Sequence, residues 1–199
     1  MRKIFFVMIK LPFAMRKILF VVLILLSALA ARGQVAMPNK PYMALDHRKG
    51  FLTINEFTFG VGWADEDVPY SQGYLGFTTL LAYQENERLM VGLATGLLYY
   101  NDGFLVPVYA DGRVSIKIDI LVPYLSFAGG ILFNPSSFGP ATHLFMNPSF
   151  GMMAPLSRNT ALNISGGYLV QIAPRRGTSQ FINIKAGMTY KFKGRSSGR

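Results

Sequence analysis

Residues 180–192 form a ribbon with two unlike faces. Ile182, Ile184, Ala186, Met188, Tyr190 and Phe192 fall on one side, and Phe181, Asn183, Lys185, Gly187, Thr189 and Lys191 on the other. Side chains alternate across a β-strand, so this is a strand greasy on one face and mostly polar on the other. The same alternation recurs upstream in seven further segments, at 51–63, 74–84, 89–100, 104–116, 122–133, 143–154 and 161–172. Each is long enough to cross a bilayer at a tilt, which takes about 9–11 residues. In the first, Phe57, Phe59, Val61 and Trp63 oppose Glu56, Thr58, Gly60 and Gly62; in the fourth, Val106, Val108, Ala110, Val114 and Ile116 oppose Pro107, Tyr109, Asp111, Arg113 and Ser115. Pro107 and Pro148 each remove a ladder donor, and a bulge or kink is expected at Pro107.

Two architectures satisfy eight alternating strands. A soluble barrel turns its greasy faces inward, whereas a membrane barrel turns them to lipid and lines its lumen with the polar ones. The lumen of an eight-stranded barrel only just accommodates its own side chains, and it has no room for this many large apolar residues. Composition agrees: 51% of the chain is hydrophobic and 15% charged, against roughly a quarter charged in ordinary soluble domains. The expected fold is therefore all-β, an eight-stranded antiparallel up-and-down transmembrane β-barrel over residues 50–192. Trp63, Tyr83, Tyr99, Phe133, Tyr190 and Phe192 fall near strand ends, where interfacial girdles sit. The connections at 85–88, 117–121 and 156–160 read as short periplasmic turns. Those at 64–73, 101–103, 134–142 and 173–179 read as outer loops.

The N-terminus is organised differently. From Met15, a short basic start is followed by an apolar core over 18–31 and then by small residues, the pattern of a secretory signal peptide. Residues 1–33 are read as signal peptide with cleavage near Gly33–Gln34. Residues 1–14 nearly repeat the motif, which makes Met15 the expected true start. Residues 34–49 are read as a periplasmic lead-in and 193–199 as a basic tail. Of 20 basic residues, six lie in the leader, so the rest of the chain carries 14 against 10 acidic ones. No acidic residue follows Asp119. No basic run interleaved with aromatics is present, so nucleic acid is not an expected partner. The chain has no cysteine, which excludes disulfides and thiolate metal sites.

The closing pattern Lys185-x-Gly187-x-x-Tyr190-x-Phe192 resembles the C-terminal signal that barrel-insertion machinery reads in outer-membrane proteins. With the leader ending at Gln34, the 104–113 and 123–130 strands and the closing 186–192 segment, the chain resembles the small outer-membrane β-barrels of Gram-negative bacteria, the OmpA/OmpX-like family. The resemblance implies residence in the outer membrane, contact with its lipid including lipopolysaccharide, and a monomer. It implies no single activity. Lipid A deacylases share the fold, but their close His–Ser pair is absent: His143 and Ser149 lie about 20 Å apart along one strand. His47 and His143 have no ligand spacing, and the acidic Asp65, Glu66 and Asp67 read as a solvated loop. No catalysis, metal or cofactor is expected.

Two functional readings follow. In the first, Glu56, Tyr109, Asp111, Arg113 and Lys185 form an internal polar network that fills the lumen, and the role is structural or surface-binding. In the second, the same residues form the constriction of a narrow porin-like channel. Glu56 and Lys185 are expected to be neighbours where the barrel closes. Arg175 and Arg176 in the last outer loop are the candidate contacts for lipid phosphates or another surface ligand, since arginine pairs well with phosphate.

Overall fold

The computed structural model describes residues 48–62, 72–100, 103–116, 121–135, 142–173 and 177–192. The leader, most of the lead-in, Trp63, the 65–67 acidic loop, Arg175, Arg176 and the basic tail lie outside the described residues. Eight strands follow one another: β1 (Gly50–Gly62), β2 (Gly73–Gln84), β3 (Leu89–Tyr100), β4 (Gly103–Ser115), β5 (Val122–Phe133), β6 (His143–Pro155), β7 (Thr160–Ala173) and β8 (Gly177–Lys191). Each pairs antiparallel with the next, and β8 closes on β1. Closure removes both sheet edges, so every ladder group can be satisfied without water.

Two elements depart from the sequence reading. β7 and β8 run further toward each other than expected, with Ile172 opposite Thr178 and Ala173 opposite Gly177. Only three residues therefore separate the two strands, where the expected connection spans 173–179. At Pro107 the ladder opens without a bulge: Thr95 pairs Val108 and Leu98 pairs Leu105, in one unbroken register, with the pairs between them missing. Pro148 does the same between Met146–Val170 and Ser149–Gly167. Each proline keeps its pairing on its other flank, Pro107 with Leu132 and Pro148 with Phe127. A missing N–H therefore costs one local bond and leaves the strand's facing unchanged.

Register fixes the barrel's geometry. Partners followed from Leu52 run through Ala82, Gly92, Asp111, Ala128 and Asn147. They continue across the Pro148 gap to Leu169 and Phe181 and return to β1 at Gly62, ten residues beyond the start. For eight strands at ordinary spacing this stagger gives a tilt of about 40°.

At the end where the strands start and finish, the two described turns are short and self-capped. Asn86 Oδ1 accepts from the Arg88 and Leu89 amides at 2.8 Å, and Ser157 Oγ accepts from the Asn159 and Thr160 amides. The outward faces are apolar around the barrel, with Leu93 71% and Phe57 65% exposed. Phe51 packs edge-on to Tyr83 at 5.1 Å, and Tyr190 to Phe192 at 5.8 Å, near this same rim. Tyr99 and Phe104 pair at the other rim. Large exposed hydrophobics bounded by aromatic belts are what a lipid-facing wall requires.

Candidate functional site

The lumen is filled, and it is built in layers. Near the chain termini Leu52, Met90, Val122 and Met153 point inward, all buried. Beside them Lys191 Nζ donates to Gln84 Oε1 at 2.9 Å and also to the Arg48 carbonyl. Outside the barrel mouth Lys49 pairs with Glu85. The Glu85 carboxylate holds the exposed Lys49 ammonium above its usual pKa.

The middle layer holds the charges. Arg113, 2% exposed, reaches from β4 across the lumen to Glu56 on β1. Its Nη1 donates to Glu56 Oε1 at 3.0 Å and its Nη2 to Oε2 at 3.1 Å, the parallel fork that suits guanidinium and carboxylate. Nε and Nη2 also donate to Asp111 Oδ2 at 3.1 and 2.9 Å. Asn163 Nδ2 donates to Glu56 Oε1 at 2.6 Å, and the guanidinium lies 5.3 Å from the Tyr124 ring centroid. Charges this deep persist only when paired and hydrogen-bonded. Four of the five guanidinium N–H groups are used in these bonds.

Lys185 stands apart from the fork. It pairs in register with Thr58, one step beyond Glu56–Gly187, so Glu56 and Lys185 are diagonal neighbours across the β1–β8 seam. Its side chain lines a cavity of about 20 Å³ with Thr58, Tyr109, Asn147 and Phe145. That is room for about one water. Tyr109 is buried on the cavity wall, packed edge-on to Phe145 at 5.5 Å.

The third layer closes the end remote from the termini. Tyr74, Tyr100 and Phe181 form an aromatic cluster with centroids 5.2, 5.4 and 6.0 Å apart. Leu105 and Leu132 accompany them, both at 0% exposure. The Tyr100 hydroxyl donates to Gln171 Oε1 at 3.2 Å, Gln171 meets His143, and Asn183 Nδ2 donates to the Tyr74 hydroxyl at 3.0 Å. The hydroxyls thus find partners while the rings fill space. Inward glycines make the room: a Cβ on Gly60 would stand 2.2 Å from the Tyr74 ring, and one on Gly151 2.4 Å from that of Tyr124.

Of the residues singled out in the sequence, the structure brings Glu56, Asp111 and Arg113 into one cluster and sets Tyr109 and Lys185 beside it. Gly187 faces inward against β1, while Tyr190 and Phe192 face outward. His143 and Ser149 take separate partners, Gln171 and Asn147. Asn163 and Tyr124 complete the cluster, and their inward parity was readable. That Tyr74, Tyr100 and Phe181 close the lumen together was not, because parity gives a residue's face and not its neighbours on other strands.

The chain matches no protein-family model and no curated protein sequence. Among solved structures it is similar to Neisserial surface protein A, with TM-score 0.55 and 14% identity over 72% of this chain and 97% of that one. It also aligns with OprG of Pseudomonas aeruginosa (TM-score 0.47, 11% identity, 75% and 99% covered). The N-terminal barrel domain of OprF from the same organism gives TM-score 0.44 and 14% identity, with 72% and 100% covered. At such identity the match to Neisserial surface protein A concerns the fold, and it extends over nearly that whole barrel. Closed register, lipid-facing exterior and this match agree: the chain is an eight-stranded antiparallel transmembrane β-barrel with the fold of the small outer-membrane barrel proteins.

Proposed function

We propose that this protein is a closed, non-enzymatic barrel of the Gram-negative outer membrane, with a structural or surface-interaction role carried by its outer loops. The observation behind this reading is the aromatic closure by Tyr74, Tyr100 and Phe181 at 2, 1 and 0% exposure. Ions cross a lumen only along a wet path, and this layer is packed with rings, the tyrosine hydroxyls bonded to Gln171 and Asn183. Beneath it the Arg113–Glu56 fork binds two opposite walls together.

The termini lie on the periplasmic side in this reading, so the closed end faces outward. Gly187, Tyr190 and Phe192 serve as the signal for the insertion machinery. A Cβ at Gly187 would come 2.1 Å from the Asn55 carbonyl, so no larger residue fits there without moving backbone. Arg175 and Arg176, which fall between β7 and β8 in the sequence, are the contacts this reading assigns to phosphates of lipopolysaccharide or of another surface ligand.

Planar-bilayer recording of the refolded chain from Gln34, beside Arg113→Ala, tests the central point. The wild type should be silent and the variant silent or leaky. Discrete, selective steps in the wild type that change with the substitution would overturn the closed barrel and make Arg113 the filter of a narrow channel.

A further inference from the structure

The lipid-facing wall is not uniform. Between the aromatic belts, the outward side chains of β4 to β8 are apolar or glycine among the described residues, save Tyr168, whose hydroxyl bonds Gln180 toward the rim. The wall formed by β1, β2 and β3 differs. Asn55 pairs in register with Thr79, and Thr79 with Thr95. These three polar side chains form one row across three strands. Thr79 Oγ1 donates to Asn55 Oδ1 at 2.9 Å. That uses one site of an amide that also carries two N–H donors.

The row lies deep. Asn55 is four residues beyond Phe51 of one belt, and Thr95 four before Tyr99 of the other. At the barrel's tilt four residues climb about 10 Å, which is mid-height in an apolar band about 25 Å tall. Lipid headgroups do not reach this depth, and acyl chains offer no hydrogen-bond partner. A polar group held there calls for a protein partner at the same depth.

We propose that this wall is the contact surface for a second copy of the chain. The row is self-complementary, with an amide at one end and hydroxyls, which both donate and accept, at the centre and other end. A twofold axis along the membrane normal in front of Thr79 keeps heights equal, so it brings the two Thr79 side chains together at the centre, each one strand spacing from the other copy's Asn55, the isologous geometry of a closed dimer. Leu93 and Phe57, the two most protruding hydrophobics, flank the short row and provide ridges beside its groove. This dimer replaces the monomer expected from the sequence and is independent of whether the lumen conducts.

The absence of cysteine makes the test direct. Leu81→Cys, beside the row on the same outward face of β2, and, on the opposite wall at similar depth, Phe150→Cys are refolded separately into phosphatidylcholine vesicles at low protein-to-lipid ratio and treated with a short bis-maleimide. Heat-dependent gel mobility confirms that each is folded. The Leu81→Cys protein should give several-fold more dimer than the Phe150→Cys protein. Adding Asn55→Leu to Leu81→Cys should lower the yield, by about threefold for each intermolecular hydrogen bond lost. No dimer from Leu81→Cys, an equal amount from Phe150→Cys, or a yield indifferent to Asn55→Leu would each overturn the proposal. The first would leave lipid or a different protein as what covers the row.

Discussion

Replacing Arg113 by methionine keeps much of the side chain's bulk and removes its charge from the middle of the lumen. Glu56 loses a two-bond fork, Asp111 loses two bonds, and both carboxylates remain buried at 1 and 3% exposure. Lys185 then faces two anions where two cations stood before. Removing one partner of a buried pair costs about 3–5 kcal/mol, because the other charge stays behind uncompensated. Glu56→Gln makes the opposite error and leaves Arg113 and Lys185 against Asp111 alone. The double variant restores the balance, one lysine against one aspartate. Its loss should fall short of the sum of the single losses by about 2 kcal/mol, within the range found for groups in one network. Urea unfolding of the four proteins in vesicles, followed by heat-dependent gel mobility, measures this coupling. Additivity within about 0.5 kcal/mol would refute the reasoning, since it would mean that water screens the cluster and that the lumen is wet.

Other consequences are simpler to check. Phe181→Ala should destabilise the barrel by about 3–5 kcal/mol, and combined with Tyr100→Ala it should produce conductance steps in a bilayer where the wild type shows none. Phe127→Arg, on the lipid face near mid-height, should cost about 2–4 kcal/mol in vesicle unfolding. Gly60→Ala must displace the Tyr74 ring and should cost about 1–3 kcal/mol in the same assay, whereas Gly112→Ala, whose Cβ meets nothing within 4 Å, should be close to neutral. Glu85→Ala removes only the exposed Lys49 pair at the rim and should leave the unfolding midpoint nearly unchanged.

Alternation alone determined much of this protein. It set which side chains of each strand face lipid and which face the lumen, because parity along a strand is a local property that no distant contact can alter. Glu56, Asp111, Arg113 and Lys185 were thereby inward from the outset, and Phe57, Phe127 and Ile184 outward. Parity also turned Tyr74, Leu98, Tyr100, Leu105 and Leu132 inward, but only the closed barrel shows that they cap the lumen. Nor could parity state which inward residues meet. Glu56 and Arg113 lie 57 residues apart on strands that do not touch. They meet because a ten-residue stagger around eight strands brings them to nearly the same height on facing walls. That stagger is a property of the whole closed ring, set by the sum of all eight registers, and no single segment of sequence contains it.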